Sequence, residues 1–447
     1  MKQVAIIFLL FTILLLSACK KVLDTRSELY IDQSQSIVDK RSAQAALVGA
    51  YNALSQNTYQ GNTFRYITNL LSDNIKWVGN TPTNREFDVY GVFATNTRVQ
   101  ELWSAIYKTV NIANNIIQKV PAVNDVTLDQ TERNKERGEA FFLRALSYFD
   151  LVRLWGNVPI VSRATQTPDD AKGIKNSSSS QVYGFIEKDL DSAETLLPAT
   201  VNRNRANQYT AKALKARLYL YQKNWAKAEE YAAQIINDSS DFKLVKPYSQ
   251  FYAAKNSSES IFEVDYTINN KNSYASNWFQ SPATGGKKEL LPTDDFVALL
   301  KDPNIGGSRS ALIFTVSGVT YGNMNFHIAT GDDQSYVLRL AEMYLIRAEA
   351  RAQQNKLEEG LKDLNVIRNR ANVPSISSVG ATDELVDRIL LERRVELAYE
   401  SHRWFDLIRT GKVQQVLGIT DVNNLLLPIP RQEILINSEN LTQNPGY

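Results

Sequence analysis

The stretch TAKALKARLYLYQKNWAKAEEYAAQIIN, residues 210–237, decides the fold. Leu214, Leu218 and Tyr221 recur at helical spacing in its first half, which makes one face of that half apolar. Asn224 marks a tight turn. Ala228, Tyr231, Ala232, Ile235 and Ile236 then occupy the i, i+3, i+4, i+7 and i+8 positions of a second stripe. Two short amphipathic helices joined this way cannot bury both stripes alone, so the hairpin requires neighbours of its own kind.

Those neighbours lie on both sides. From about Val337 to Asn372, one stripe holds Ala341, Tyr344, Leu345 and Ala348, and a second holds Leu357, Leu361 and Leu364. Pro374 lies just beyond the end, where proline is tolerated. A long helix is expected over Arg133–Trp155, with Phe142, Ala145, Leu146, Phe149 and Val152 on one side. Its partner runs from Gln181 to Leu197 and is stopped by Pro198. Further helices are expected over Ala43–Leu54, Val99–Val120 and Leu385–Tyr399, the last leading into Trp404, Leu407 and Ile408. The small-residue interior around Asn224–Ala228 is similar to a tetratricopeptide unit. The expected architecture is mostly α, with about four such hairpins.

Three stretches break the pattern. Thr58–Asn96 is rich in Asn, Thr, Gly and aromatics. Ala164–Ser180 is polar and reads as an exposed loop. Lys243–Gln334 is long and aperiodic, with Gly285-Gly286 and Gly306-Gly307 as breakers and one alternating run, Ser260–Tyr266, that fits a strand. Long irregular insertions on a rigid scaffold are usually functional. The fold expectation is therefore a helical scaffold carrying a loop-rich ligand-binding region with minor β.

The N-terminus has the layout of a secretory signal, Met1-Lys2-Gln3 followed by an apolar run from Val4 to Leu16. That run is short for a spanning helix. It ends in Leu16-Ser17-Ala18-Cys19, which matches a bacterial lipobox. Cys19 is the only cysteine and the expected site of lipidation. Residues 1–18 are then a lipoprotein signal peptide, 19–36 a lipidated tether, and 37–447 one domain with parts meeting near residue 240. A single thiol excludes a disulfide framework and a thiolate zinc site. The 50 Lys and Arg nearly balance the 48 Asp and Glu, and nothing in the charge pattern points to nucleic acid.

Four segments in order resemble the SusD/RagB family of outer-membrane nutrient-uptake lipoproteins. They are Arg137–Ala145 continuing through Trp155–Pro159; Leu340–Ala350; Glu392–Glu400 running into Arg403–Leu407; and Leu427–Pro430 with Leu441–Tyr447. The resemblance covers essentially the whole chain after the signal. It implies four tetratricopeptide-like helix pairs and no catalysis. It also implies a surface-exposed lipoprotein of the outer membrane that captures oligosaccharide or glycan, in some members peptide, for a SusC-like TonB-dependent transporter.

Within the motifs, Arg393 falls on the stripe set by Val386, Ile389 and Leu390. A charge there is costly unless paired, so an ion-pair network is expected, with Glu392, Glu396, Glu400, Glu342 or Glu349 as partners. Gln443–Tyr447 is expected to close the fold by turn chemistry and a packed tyrosine. Trp103, Trp155, Trp225 and Trp404 sit in or beside periodic helices and are expected in the core. Trp77 and Trp278 sit in aperiodic segments, where sugar faces could stack on them. The resemblance places the ligand face in two such regions, so the candidates are Asp73, Asn74, Trp77, Asn80, Arg85 and Tyr90 from the first. Tyr274, Asn277, Trp278 and Tyr321 come from the second.

Two other function classes make different demands on the sequence. A pure protein-interaction or peptide-binding scaffold would place its open aromatics on the helices rather than the insertions. An enzyme finds no support in motifs: there is no nucleophile elbow, phosphate loop or His-Glu-x-x-His, and only His327 and His402 supply imidazole. No cofactor is expected. Calcium at the Gly331-Asp332-Asp333 turn has no EF-hand loop behind it.

Overall fold

The structure is a computed structural model. It describes residues 37–447 apart from 166, 168–169, 171–172, 239, 254, 279–285 and 325–329. Cys19, the signal, the tether and His327 lie outside the described residues, as does the side chain of Trp278.

Helix α1 (Lys40–Ser55) starts at Asp39, whose carboxylate accepts the Ser42 amide in a capping box. The first irregular stretch holds α2 (Thr63–Leu70), β1 (Ile75–Trp77) and α3 (Pro82–Asp88). Then come α4 (Thr97–Lys119), α5 (Gln130–Trp155), the short pair β2 (Val158–Pro159) and β3 (Asn176–Ser177), and α6 (Ser179–Leu196). The hairpin that opened the sequence reading is α7 (Gln208–Tyr221) and α8 (Trp225–Ile236). Asn224 makes its turn by capping α8, its side chain accepting the Lys227 amide.

The second irregular stretch holds α9 (Ser249–Ala253), β4 (Ser260–Val264), α10 (Tyr274–Trp278), β5 (Leu290–Pro292), α11 (Asp294–Lys301), the hairpin β6 (Ile313–Val316) and β7 (Val319–Gly322), and β8 (Ser335–Arg339). The chain finishes with α12 (Leu340–Gln353), α13 (Leu357–Arg370), α14 (Thr382–Glu396), α15 (Arg403–Arg409), α16 (Val413–Leu417) and α17 (Arg431–Ile436).

Helix packing follows chain order. α1 lies on α4, α4 on α5, α5 on α6, α6 on α7, α7 on α8, α8 on α12, α12 on α13, and α14 on both α12 and α13. The pairs α5/α6, α7/α8 and α12/α13 are the expected hairpins, and α1 with α4, expected only as separate helices, makes a fourth pair. Each covers its neighbour's apolar stripe, which is how a solenoid builds a continuous core from units that are unstable singly. The series skips residues twice, between α1 and α4 and between α8 and α12, where the two larger irregular stretches depart. Among the described residues, no helix is long and apolar enough to cross a membrane.

Three local readings are corrected. The pair expected from Val337 begins as strand: Ser335–Arg339 is β8, antiparallel to β4, and helix starts only at Leu340. The strand read as alternating is buried along its whole length, Glu263 included, because the domain covers both its faces. Thr63–Leu70 is helix: it is only eight residues long, and all of them are buried, its polar residues included.

The motif charges form a buried network. Arg339 donates from Nε to Glu400 at 2.7 Å and from Nη1 to Glu259 at 2.8 Å and Glu396 at 2.7 Å. Arg309 pairs with Glu392 at 2.6 Å, and Arg370 with Glu259 at 2.6 Å and also with Glu396. Burial pushes the Glu400 carboxyl up to about 7, although Arg339 opposes that shift. The partner of Arg393 is Asp406 of α15, at 2.8 Å, rather than one of the glutamates named from sequence. Glu349 holds Arg409, and Glu342 holds Arg217.

The C-terminal motif does close the fold. Gln443 exchanges two 2.7 Å hydrogen bonds with the backbone of Ile429. Asn444 Nδ2 donates to the carbonyls of Trp155 and Leu427. Tyr447 hydrogen-bonds Leu426 O at 2.9 Å but stays exposed instead of packing into the core.

Candidate functional site

The two larger irregular stretches meet. β1 pairs antiparallel with β5, setting Ile75 opposite Pro292 and Trp77 opposite Leu290. The seam continues as the Val78 amide donates to Glu289 O at 2.9 Å and Thr293 Oγ1 to Asp73 O at 2.8 Å. At its other end Ser273 N donates to Asn57 Oδ1, and Asn277 Nδ2 to Asn62 Oδ1, both at 2.8 Å. Residues some two hundred positions apart therefore share one surface.

Most candidates taken from sequence turn out to build this seam. Asp73 takes two hydrogen bonds from Arg403, at 2.7 and 2.9 Å, and an ion pair from Arg394 at 3.0 Å. Burial raises its carboxyl, but the two guanidinium groups outweigh that and hold it below the usual range. Asn74 is buried and accepts Arg394 Nε at 2.8 Å. Tyr274 is fully buried, with the Arg65 guanidinium 3.9 Å above its ring and Asn69 donating to its hydroxyl. Asn277 is buried against Asn62, and Tyr321 is buried against Phe314 in the β6–β7 hairpin.

Trp77 is also core. It is 8% exposed, sits edge-on to Tyr66 at 5.9 Å, and lies over Gly79. A Cβ at residue 79 would come 2.3 Å from the indole, so only glycine admits the ring there. The physical reason for these corrections is common: the insertions have too few helices to bury their backbone, so their aromatics and amides are consumed in holding loop to loop.

Asn80 and Arg85 remain exposed, on either side of the start of α3. Tyr90 is half-buried, stacked on Trp404 at 6.3 Å, and burial pushes its phenol up to about 12. Trp278 ends α10, immediately after Asn277. Phe93, not singled out from sequence, is a 64% exposed aromatic on the first insertion.

Sequence reasoning also missed a crevice of about 20 Å³ at this seam. Tyr66 from α2 and Asn84 from α3 line it, together with Arg98, Lys287 and Glu289. The Tyr66 hydroxyl and Asn84 Oδ1 are buried with no hydrogen-bond partner among the described residues. Burial, and then the nearby Glu289 carboxylate, push the Tyr66 phenol far above its ordinary range, so it stays protonated.

Larger hollows lie elsewhere, with some of their polar groups engaged. One of about 550 Å³, between α4 and α17, is walled by Tyr107, Ile174, Ile436 and Leu441, while Asn111 bonds Thr165 and Asn437 bonds Ile174 O. Another, of about 680 Å³, includes the ion pairs Lys412–Asp387 and Arg409–Glu349. The turn weighed for calcium places Asp332 3.8 Å from the Lys255 ammonium.

Known proteins are similar to this chain along most of its length. A model described as the SusD family matches residues 276–447, and one described as starch-binding associating with outer membrane matches residues 21–220. The chain belongs to the SusD family. It is 28% identical over 473 aligned positions to SusD-like protein P2 of Formosa agariphila, covering 90% of this chain and 92% of that one. With the starch-binding protein SusD of Bacteroides thetaiotaomicron it shares 26% over 429 positions, covering 72% and 75%. Among solved structures, a laminarin-binding SusD-like protein superposes with a TM-score of 0.80 at 26% identity, over 92% of this chain and 100% of that one. A SusD superfamily protein from Bacteroides thetaiotaomicron gives 0.80 at 25% identity, over 91% and 99%.

Proposed function

We propose that this SusD-family chain is a non-catalytic lipoprotein of the outer membrane, tethered through Cys19. It captures a glycan at the seam and passes it to a SusC-like TonB-dependent transporter. The observation that carries the ligand site is the convergence of both insertions at one seam, with Asn80 and Arg85 exposed on the first insertion and the Tyr66–Asn84 crevice lined by residues of both. Sugars offer apolar ring faces and a rim of hydroxyls, which aromatics and amides match. Relatives named for starch and laminarin binding support the ligand class.

Affinity electrophoresis against a plate of polysaccharides that includes laminarin and starch tests the reading. Retardation by at least one glycan, without release of reducing sugar, is expected. No retardation, or release of product, would overturn it. A second reading, peptide or protein docking, is favoured only by the apolar 550 Å³ groove, where Ile436 stands 74% exposed. Binding of peptides and of no glycan would select it.

A further inference from the structure

Nearly all buried polar atoms in proteins are hydrogen-bonded, so an exception asks for a reason. Tyr66 is 4% exposed and Asn84 is 3% exposed, and they come from different elements, yet both line one crevice and each carries a buried oxygen without a partner among the described residues. Its volume of about 20 Å³ accommodates a single water-sized group. Their neighbours are spoken for: Asn62 and Asn277 bond each other, and the Arg98 guanidinium holds Glu101 at 3.1 Å. A second cavity of similar size, beside His402 and Ser401, is lined wholly by buried residues. The Tyr66 crevice differs in having the exposed Lys287 and the half-buried Glu289 among its lining residues.

The chemistry of the pair selects what enters. A protonated phenol both donates and accepts, and the buried end of an amide does one or the other depending on its flip. A hydroxyl satisfies both partners in either flip. A carboxylate would face the Asn84 and Glu289 oxygens, and an ammonium would face Lys287. The placing is rigid, because the Tyr66 ring is set against Trp77 and Trp77 against Gly79. A site built to bond a hydroxyl discriminates strongly against the analogue that lacks it.

We propose that Tyr66 and Asn84 form a hydroxyl-reading subsite that bonds one hydroxyl of the bound saccharide, beside Asn277. The subsite rests on the glycan reading above and deepens it by naming two specificity-determining residues. It also explains why a phenol is kept there: unpaired it contributes nothing to the fold, and paired it contributes to binding.

The test uses the full-length protein purified in a detergent without a sugar headgroup, with the tightest binder from the polysaccharide plate as titrant. Tyr66→Phe is expected to weaken binding about tenfold, as befits one lost hydrogen bond of ~1.4 kcal/mol, while its Tm stays level or rises. Asn84→Ala should weaken binding similarly. Wild-type affinity in both variants would overturn the subsite and leave glycan capture standing. A fall in Tm parallel to the fall in affinity for Tyr66→Phe would make the residue structural and also overturn it. A wild-type protein that binds no glycan would overturn both readings together.

Discussion

The helical scaffold and the seam bury similar kinds of residue for different reasons. In the scaffold, burial follows from periodicity: Leu214, Leu218, Ala228, Ala232 and Ile235 are inside because a stripe at helical spacing meets another stripe. At the seam, Trp77, Asn74, Tyr274 and Asn277 are inside because each is the specific partner of one distant residue. The scaffold tolerates exchange of one apolar side chain for another of similar volume. The seam depends on particular pairs.

The contrast is tested most severely where the two regions join. Arg339 is at the end of β8 and is 1% exposed, with its guanidinium on Glu259, Glu396 and Glu400. Arg339→Ala leaves those carboxylates buried without it and should cost ~3–5 kcal/mol, visible in chemical denaturation as a lower midpoint. Trp77→Ala comes next. If the indole is seam core, truncation costs up to ~3–5 kcal/mol, and any loss of glycan binding arrives with a loss of stability. Full stability with lost binding would return Trp77 to the ligand face.

A smaller effect concerns a charge in the scaffold. Glu136 of α5 is buried, its Oε2 has no partner, and burial, Glu139 and Glu132 raise its carboxyl to about 7. The folded state therefore holds a proton that the unfolded state releases near the ordinary glutamate value, so stability falls as pH rises from about 4.5 to about 7. Glu136→Gln should leave Tm unchanged at pH 5 and raise it at pH 8, by ~1–2 °C; equal effects at both pH values would contradict the shift. Smallest in stability are Asn80→Ala and Arg85→Ala, which touch exposed side chains and should stay within ~0.5 kcal/mol. Their expected effect is on glycan affinity, read by titration.

How much was legible follows the same division. Helix positions were readable to within a few residues where one face meets solvent, as in α4 and α8. They were missed in α2, which is only eight residues long within a stretch rich in Asn, Thr and Gly, and at Val337–Arg339, where a buried strand runs straight into α12. The structural role of Arg393 was legible because a cation on an apolar stripe demands a partner. The identity of that partner, Asp406, was not, because helix spacing cannot choose among carboxylates from a neighbouring element.

By itself the sequence determined the hairpin series, the points where the two insertions leave it, and the core positions of Trp155 and Trp404, since these follow from short-range periodicity. Only the tertiary structure decided which insertion residues face out. That depends on a pairing, β1 with β5, between segments more than two hundred residues apart. It turned Trp77 and Asn74 inward, left Asn80 and Arg85 outside, and brought Tyr66 and Asn84 to one crevice. No local pattern encodes such a meeting, because its physical content is the match of one side chain to one distant partner.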